Sequence, residues 1–472
     1  FDRLCREGVT FTNAYTDCPL CVPTRISIMS GKQAFNHGMP WNGESSEVLG
    51  WEDTLPTLLG NAGYQTVGIG KMHFGPQRVR HGFGEMILPE DYYREMREKG
   101  EGISHMVHGL GQNEFYPTMS ALPETKTLTA WTSNKCAEYI RERRDPSRPF
   151  FLWCSYTKPH PPFDPPEPYY SMYNDAPIPE PFYGDWSDPK DYPAALKRYQ
   201  FSQSYDLLPK EIIMKARAVY YGLITQIDYS MGYVLAALQD EGLLDDTLII
   251  YTSDHGEYLG DHHACAKGHF HESSAHVPFV IRLPKSWEDH PHGKTNTALI
   301  THADILPTLL RTAGAAVPAD KDGTDLIGLV RGETPPREYL EAMMGNVTEW
   351  IAPPTNCDYL AITDGEWKYI WYPEGGIEQL FNLKDDPHEL TNLAYQVGTA
   401  GAAASGPAAE EAASAKKRLK AELISRHRKR NSPYLENGEL PYLPEVEVSP
   451  EDLRNQNWPG YITEHAPVDV RH

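Results

Sequence analysis

The chain has 472 residues, 40% of them hydrophobic, which suffices for one large α/β domain with a smaller companion and a sizeable buried core. Its net charge of −22 argues against nucleic acid as a partner, because phosphate backbones are bound by basic surfaces; an anionic ligand must rely on a local basic pocket. No apolar run approaches a membrane span, and seven scattered cysteines do not form a disulfide framework.

In chain order, Pro23 suits the first turn of a helix, where its missing N–H costs nothing. Cys21 then sits at the helix N-terminus, whose free amides favour an anion, and Arg25, one turn on, can reach back toward it. Residues 53–62 carry apolar positions at helical spacing. Runs at 64–69, 149–156 and 247–252 stop at Gly70-Lys71-Met72-His73, Lys158-Pro159-His160 and Ser253-Asp254-His255-Gly256. That is how the carboxyl end of a buried parallel strand reads, and ligands of open α/β sheets bind outside those ends, so the three clusters should share one crevice. A fourth run of the same kind, 277–282, follows the loop that contains Lys267. Helices are expected over about 211–241, ending at Gly242, and over 301–314. The proline-dense stretch 159–193 reads as a long loop that lines a cleft or covers the sheet.

Beyond residue 336 the pattern changes to short segments at 339–343, 359–363, 367–371 and 379–381. Turns at Asp364-Gly365 and Gly375-Gly376 make the later ones an antiparallel meander. Residues 398–415, nearly all Ala, Gly, Ser and Glu, read as a flexible link or a weak helix start. The proline-rich tail from Asn431 reads as an extended arm, a candidate contact for a second subunit in a homo-oligomer. The expected fold is α/β, with a mixed, largely parallel central sheet flanked by helices and a smaller C-terminal antiparallel sheet. Its expected parts are 1–335, 336–397, and 398–472 for link, helix and arm. Cys5, Cys136, Cys154, Cys265 and Cys357 read as packing residues.

Cys18-Pro19-Leu20-Cys21 is a Cys-x-x-Cys, elsewhere a redox pair or half a zinc site. That reading explains neither Pro23 nor Arg25, and no second such motif exists. Cys21-Val22-Pro23-Thr24-Arg25 with Gly31-Lys32 behind it instead resembles the signature of the formylglycine-dependent sulfatases, of the alkaline phosphatase superfamily. Gly70-Lys71-Met72-His73, Lys158-Pro159-His160-Pro161-Pro162-Phe163, the stretch from Thr252 to His262 with Lys267-Gly268 following, and Leu380-Phe381-Asn382-Leu383 occur in the family's order. The resemblance covers Phe1 to about Leu393.

The resemblance implies a hydrolase of sulfuric esters of carbohydrates or small organic alcohols, with Cys21 converted to formylglycine by a maturation enzyme. It implies Arg25 and Lys71 on the nucleophile and sulfate, His73 as a base, His160 and Lys267 at the leaving oxygen, and Asp254 with His255 on a dication, Ca²⁺ ahead of Mg²⁺ or Mn²⁺. His255 stands where asparagine is common, which keeps a phosphonate monoester or phosphodiester hydrolase as an alternative; an inactive glycan-binding relative is another. His262, His263, His269, His271 and His276 crowd one loop without strict zinc-ligand spacing; one or two are expected to line the cleft and the rest to be solvated, with Glu272 and His276 as substrate contacts. The family's first strand, ending in paired metal-binding aspartates, would precede Phe1. Neither Asp2 nor Asp17 stands in such a pair, so a weak metal site is expected, and a periplasmic or secreted location is favoured.

Overall fold

The computed structural model describes all residues except 101–109, 112, 288–290, 346–356, 396–405, 447–448 and 452–472. Three sheets organise the described residues. The first runs β5 (Ile249–Thr252), β6 (Phe279–Arg282), β1 (Val9–Tyr15), β7 (Lys294–Thr301); β6 is antiparallel to both neighbours and β1 is parallel to β7. The second runs β3 (Glu85–Ile87), β2 (Gln65–Gly70), β4 (Phe150–Ser155), all parallel. The third is the meander β8 (Leu340–Met344), β9 (Tyr359–Thr363), β10 (Trp367–Tyr372), β11 (Ile377–Asn382).

The fold is thus α/β with mixed, largely parallel strand pairing and a small C-terminal antiparallel sheet. One expectation needs correction. Strand β6 is not parallel, so its N-terminal end, not its carboxyl end, lies near the site: Val277 N–H donates to the Ala14 carbonyl at 2.9 Å. An apolar run bounded by polar residues carries no mark of its direction. Strands β1, β3 and β7 escape a pattern reading because polar residues interrupt them; the first half of β7, Lys-Thr-Asn-Thr, is largely exposed.

Helices cover these sheets. Helix α1 (Cys21–Ser30) follows β1, and α2 (Leu55–Asn61), α3 (Leu128–Glu138) and the long α4 (Lys210–Asp240) come next. In α5 (Ile305–Thr312), Leu306 and Leu310 lie one turn apart and are fully buried against Val9, Phe11 and Ile300. Each such side chain contributes about 1.5–3 kcal/mol of burial. Helix α6 (Pro407–Lys429) buries Ala412, Ala415, Leu419 and Leu423 on the meander, so residues 407–415 are helical; 398–405 lie outside the described residues. The described part of the C-terminal arm packs on its own chain, with Leu443 paired to Pro373 and Gly375. No described helix is long and apolar enough to cross a membrane.

Among the described residues, strands β4 and β5 each pair on one side only. Both line a cavity of about 870 Å³, which is closed on one side by Ile227, Val234 and Leu238 of α4 and on the other by Ile305 and Leu309 of α5. Its far end meets the residues described next.

Candidate active site

Strands β2, β4 and β5 deliver their carboxyl ends to one place, as their sequences predicted. Gly70 ends β2 at φ 94°, with an added Cβ only 2.0 Å from the Ser155 carbonyl oxygen, so a side chain there would force the strand ends apart. The close approach lets Lys71 N–H donate to that same oxygen at 2.9 Å and brings the Lys71 side chain to the start of α1.

Cys21 is 2% exposed at the start of α1. The free-amide cradle expected there does not form. Val22 N–H donates to Asn42 Oδ1 at 3.0 Å, Thr24 N–H to the Leu20 carbonyl at 3.2 Å, and Pro23 has no N–H. An anion beside Cys21 must therefore be held chiefly by side chains. Lys71 Nζ lies 3.5 Å and His255 Nε2 3.2 Å from Cys21 Sγ. Burial opposes ionisation of this thiol, yet Lys71 and His255 outweigh it and hold its pKa well below the usual thiol value.

Arg25 does not reach back to position 21. Its guanidinium donates to the Lys71 carbonyl, to Ser155 Oγ at 3.1 Å and to Asp254 Oδ2 at 3.0 Å. One buried side chain thus ties together the ends of β2, β4 and β5. Asp254 is half-buried, which would favour its neutral form, but His255 and Arg25 hold its carboxyl well below the ordinary range. For His255, burial is outweighed by Asp254 and Cys21, and its pKa is raised.

Across the site, Lys267 Nζ and His160 Nε2 are 3.3 Å apart, and His160 Nδ1 lies 2.8 Å from the Pro161 carbonyl. A ring nitrogen against a carbonyl must carry the proton, which leaves Nε2 as an acceptor facing Lys267. Burial, then Lys267 and Lys71, hold the His160 pKa well below its usual value. Lys267 goes the other way: burial is outweighed by Cys21, Tyr199 and Glu257, so the ammonium is favoured. The pair is a charged lysine beside a neutral imidazole. Lys158, which the motif reading left without a role, holds the His160 loop in shape through Asp164 and the Pro162 carbonyl.

His73 follows at φ 55°, its Nδ1 buried and without a hydrogen bond among the described residues. Glu272 and His276 lie elsewhere. Glu272 accepts from the fully buried Lys368 of β10 at 2.6 Å and pairs with His276 Nδ1 at 3.2 Å; Lys368 also binds Glu389 at 2.7 Å. These residues join the meander to the catalytic layer. The crowded histidines are a further correction, because His262, His269 and His271 are buried, not solvated. His271 stacks on Trp186 and hydrogen-bonds Tyr258 and Gln379, so aromatic packing absorbs what composition alone suggested was a polar loop.

Cys21, Asp254 and His255 bring their ligand atoms within 4.8 Å of one another and form the group that converges among the described residues. His255 Nδ1 lies 2.8 Å from the Gly256 carbonyl, which leaves Nε2 directed at the cluster, the arrangement metal-ligating histidines commonly show. One carboxylate, one imidazole and the residue-21 atom fit a dication in charge and position, though they are fewer than the six to eight oxygens typical around Ca²⁺.

Residues 1–315 match the Sulfatase family, and residues 260–404 match the N-sulphoglucosamine sulphohydrolase C-terminal family. An arylsulfatase of Clostridium perfringens (strain 13 / Type A) is 34% identical over 417 residues, covering 83% of this chain and 84% of the relative. A choline-sulfatase of Rhizobium meliloti (strain 1021) is 31% identical over 412 residues, covering 83% and 76%. Among solved structures, the phosphonate monoester hydrolase of Agrobacterium radiobacter superposes with a TM-score of 0.71 at 27% identity, covering 90% of each chain.

Proposed function

Because the chain belongs to the sulfatase family and is a sulfuric ester hydrolase, we propose that it cleaves its ester at residue 21, with Lys71 and His255 on the nucleophile side and Lys267 with His160 on the leaving side. The observation that carries this reading is the position of Cys21. It lies at a helix start within 3.5 Å of Lys71 and 3.2 Å of His255, both of which line the same cavity as Lys267 and His160.

Oxidation of Cys21 to formylglycine by a maturation enzyme would supply a hydrated aldehyde as nucleophile, and a dication, Ca²⁺ for preference, held by Asp254 and His255 would draw charge from the ester oxygens. The chain's own residues do the rest. Lys71 orients residue 21 and offsets charge on the sulfate. Lys267 gives its proton to the departing alkoxide oxygen, and neutral His160 holds the ammonium in place through Nε2. To His73, whose buried Nδ1 has no hydrogen bond among the described residues, falls the proton that the second hydroxyl of hydrated residue 21 gives up as sulfate leaves and the aldehyde re-forms. Arg25 is a positioning residue. The substrates are sulfate esters of a sugar or a small alcohol.

The test joins peptide mass spectrometry across residue 21 with the Cys21→Ala variant. A mass matching formylglycine and loss of turnover, with an unchanged circular dichroism spectrum, are the expected results; retained turnover in the variant would sink the mechanism. A second reading, phosphonate monoester hydrolysis, is favoured by the likeness to the Agrobacterium radiobacter enzyme together with His255. Parallel assays with an aryl sulfate and an aryl phosphonate separate the two.

A further inference from the structure

After β5 the chain doubles back on itself. Tyr258 N–H donates to the Ala266 carbonyl and Gly260 N–H to the Ala264 carbonyl, each at 2.8 Å. Glu257 and Lys267 are the residues just outside the Tyr258–Ala266 bond, at the open end of this turn. Both residues line the cavity that holds His160, Lys71 and Asp254.

A glutamate and a lysine at the open end of such a turn ordinarily form an ion pair. Here Lys267 is turned to His160 instead, at 3.3 Å. Among the described residues no lysine, arginine or histidine nitrogen lies within 4.0 Å of the Glu257 carboxylate. Its side-chain contact is a long 3.4 Å bond from Leu259 N–H, and the loop amide at Ala266 adds to its support. The carboxylate is therefore held by its own loop while keeping acceptor capacity open toward the cavity.

Open acceptor oxygens cannot serve to hold sulfate, whose own outer oxygens are acceptors too. They belong on the alcohol side of the ester. With Lys267 at the bridging oxygen, substituents on the carbons next to that oxygen come to Glu257, at the open end of the same turn. A carboxyl oxygen there with unfilled acceptor capacity rewards a hydrogen-bond donor and penalises a bare hydrocarbon, because its desolvation is offset only when a donor arrives. We propose that Glu257 recognises the leaving alcohol, and that the substrates are sulfate esters of sugars or related polyols with a free hydroxyl next to the esterified carbon. The proposal deepens the sulfatase reading and rests on it.

The test measures binding as well as turnover. Full-length protein carrying Cys21→Ala is titrated calorimetrically, in buffer containing a divalent cation, with glucose 3-sulfate and with cyclohexyl sulfate. These esters share a ring size, but only the sugar has hydroxyls beside the ester. Adding Glu257→Ala should lower the preference for the sugar ester by about tenfold or more, and Glu257→Gln, which keeps one acceptor oxygen, should restore part of it. A ratio that stays within about threefold, or equal losses for both ligands, would overturn the assignment and make Glu257 a support for the loop. An ester carrying a quaternary ammonium is the third ligand. If it outbinds the sugar ester and loses most on Glu257→Ala, the group recognised is a cation and the hydroxyl assignment falls. Turnover of 4-nitrophenyl sulfate by the unaltered chain is the separate control. Its absence would count against the sulfatase reading, while the binding ratios would still decide the role of Glu257.

Discussion

At Lys267 the buried ammonium faces a neutral imidazole, so its removal should be felt through the leaving group. Lys267→Met is expected to slow esters of alcohols with high pKa by roughly 10²–10⁴-fold and activated nitrophenyl esters far less. A plot of log kcat/KM against leaving-group pKa checks this: the variant's slope should be steeper, and an unchanged slope would remove Lys267 from proton donation. His160 was legible in the sequence because it stands in a short motif at a strand end, and Lys267 because it follows the Thr252–His262 stretch in the family's order. What could not be read was their wiring. Arg25 has the spacing to touch residue 21 yet spends its hydrogen bonds on Lys71, Ser155 and Asp254, and Asn42 caps Val22 from 20 positions away in a segment without a motif. Side-chain direction in a buried site is set by partners distant in sequence, and local spacing does not reveal them.

Two elements depend on buried ion pairs whose loss is measurable. Lys368, on β10, is enclosed between Glu272 and Glu389, and Lys368→Met would leave both carboxylates without their cation. A loss of about 3–5 kcal/mol in urea unfolding is expected. Intact stability would mean that water compensates the pair. At the other end of the fold, Arg282 of β6 is fully buried and holds Glu7 of the N-terminal helix Asp2–Glu7. Burial alone would raise the Glu7 pKa, but Arg3 and Arg282 bring it from 4.5 down to about 2. The folded value lies below the unfolded one, so the contribution is present above pH 4.5 and is lost as pH falls toward 2. Urea midpoints at pH 6 and pH 3 should differ, and the part that vanishes in Glu7→Gln should be about 2 kcal/mol. Neither pair was visible beforehand. Glu272 and His276 were read as substrate contacts from their place in the histidine-crowded loop, whereas the partner of Glu272, Lys368, lies 96 positions away in the sequence. The meander that carries Lys368 was read nearly to the residue, since alternation and glycine turns are local signals.

Across the whole molecule, the residues expected to act on one ester come from two sheets that share no backbone ladder at β4 and β5. Lys71 and His160 belong to the sheet of β2 and β4; Cys21, Asp254, His255 and Lys267 follow β1 and β5 of the other. The Cys21–Lys71 and His160–Lys267 contacts both cross the seam, and Arg25 bridges it with bonds to both sides. Among the described residues, amide hydrogens on the inner edges of β4 and β5 have no strand partner, and both strands line the cavity. In deuterated water they should exchange as fast as loop amides, while those of β1 and β2, paired on both sides, remain protected. Peptides covering 149–156 and 247–254 would report this by mass spectrometry. Slow exchange in both would mean that the seam is sealed. If it is open, uptake of deuterium there becomes a direct gauge of how firmly the two halves are held in register, readable without substrate or turnover.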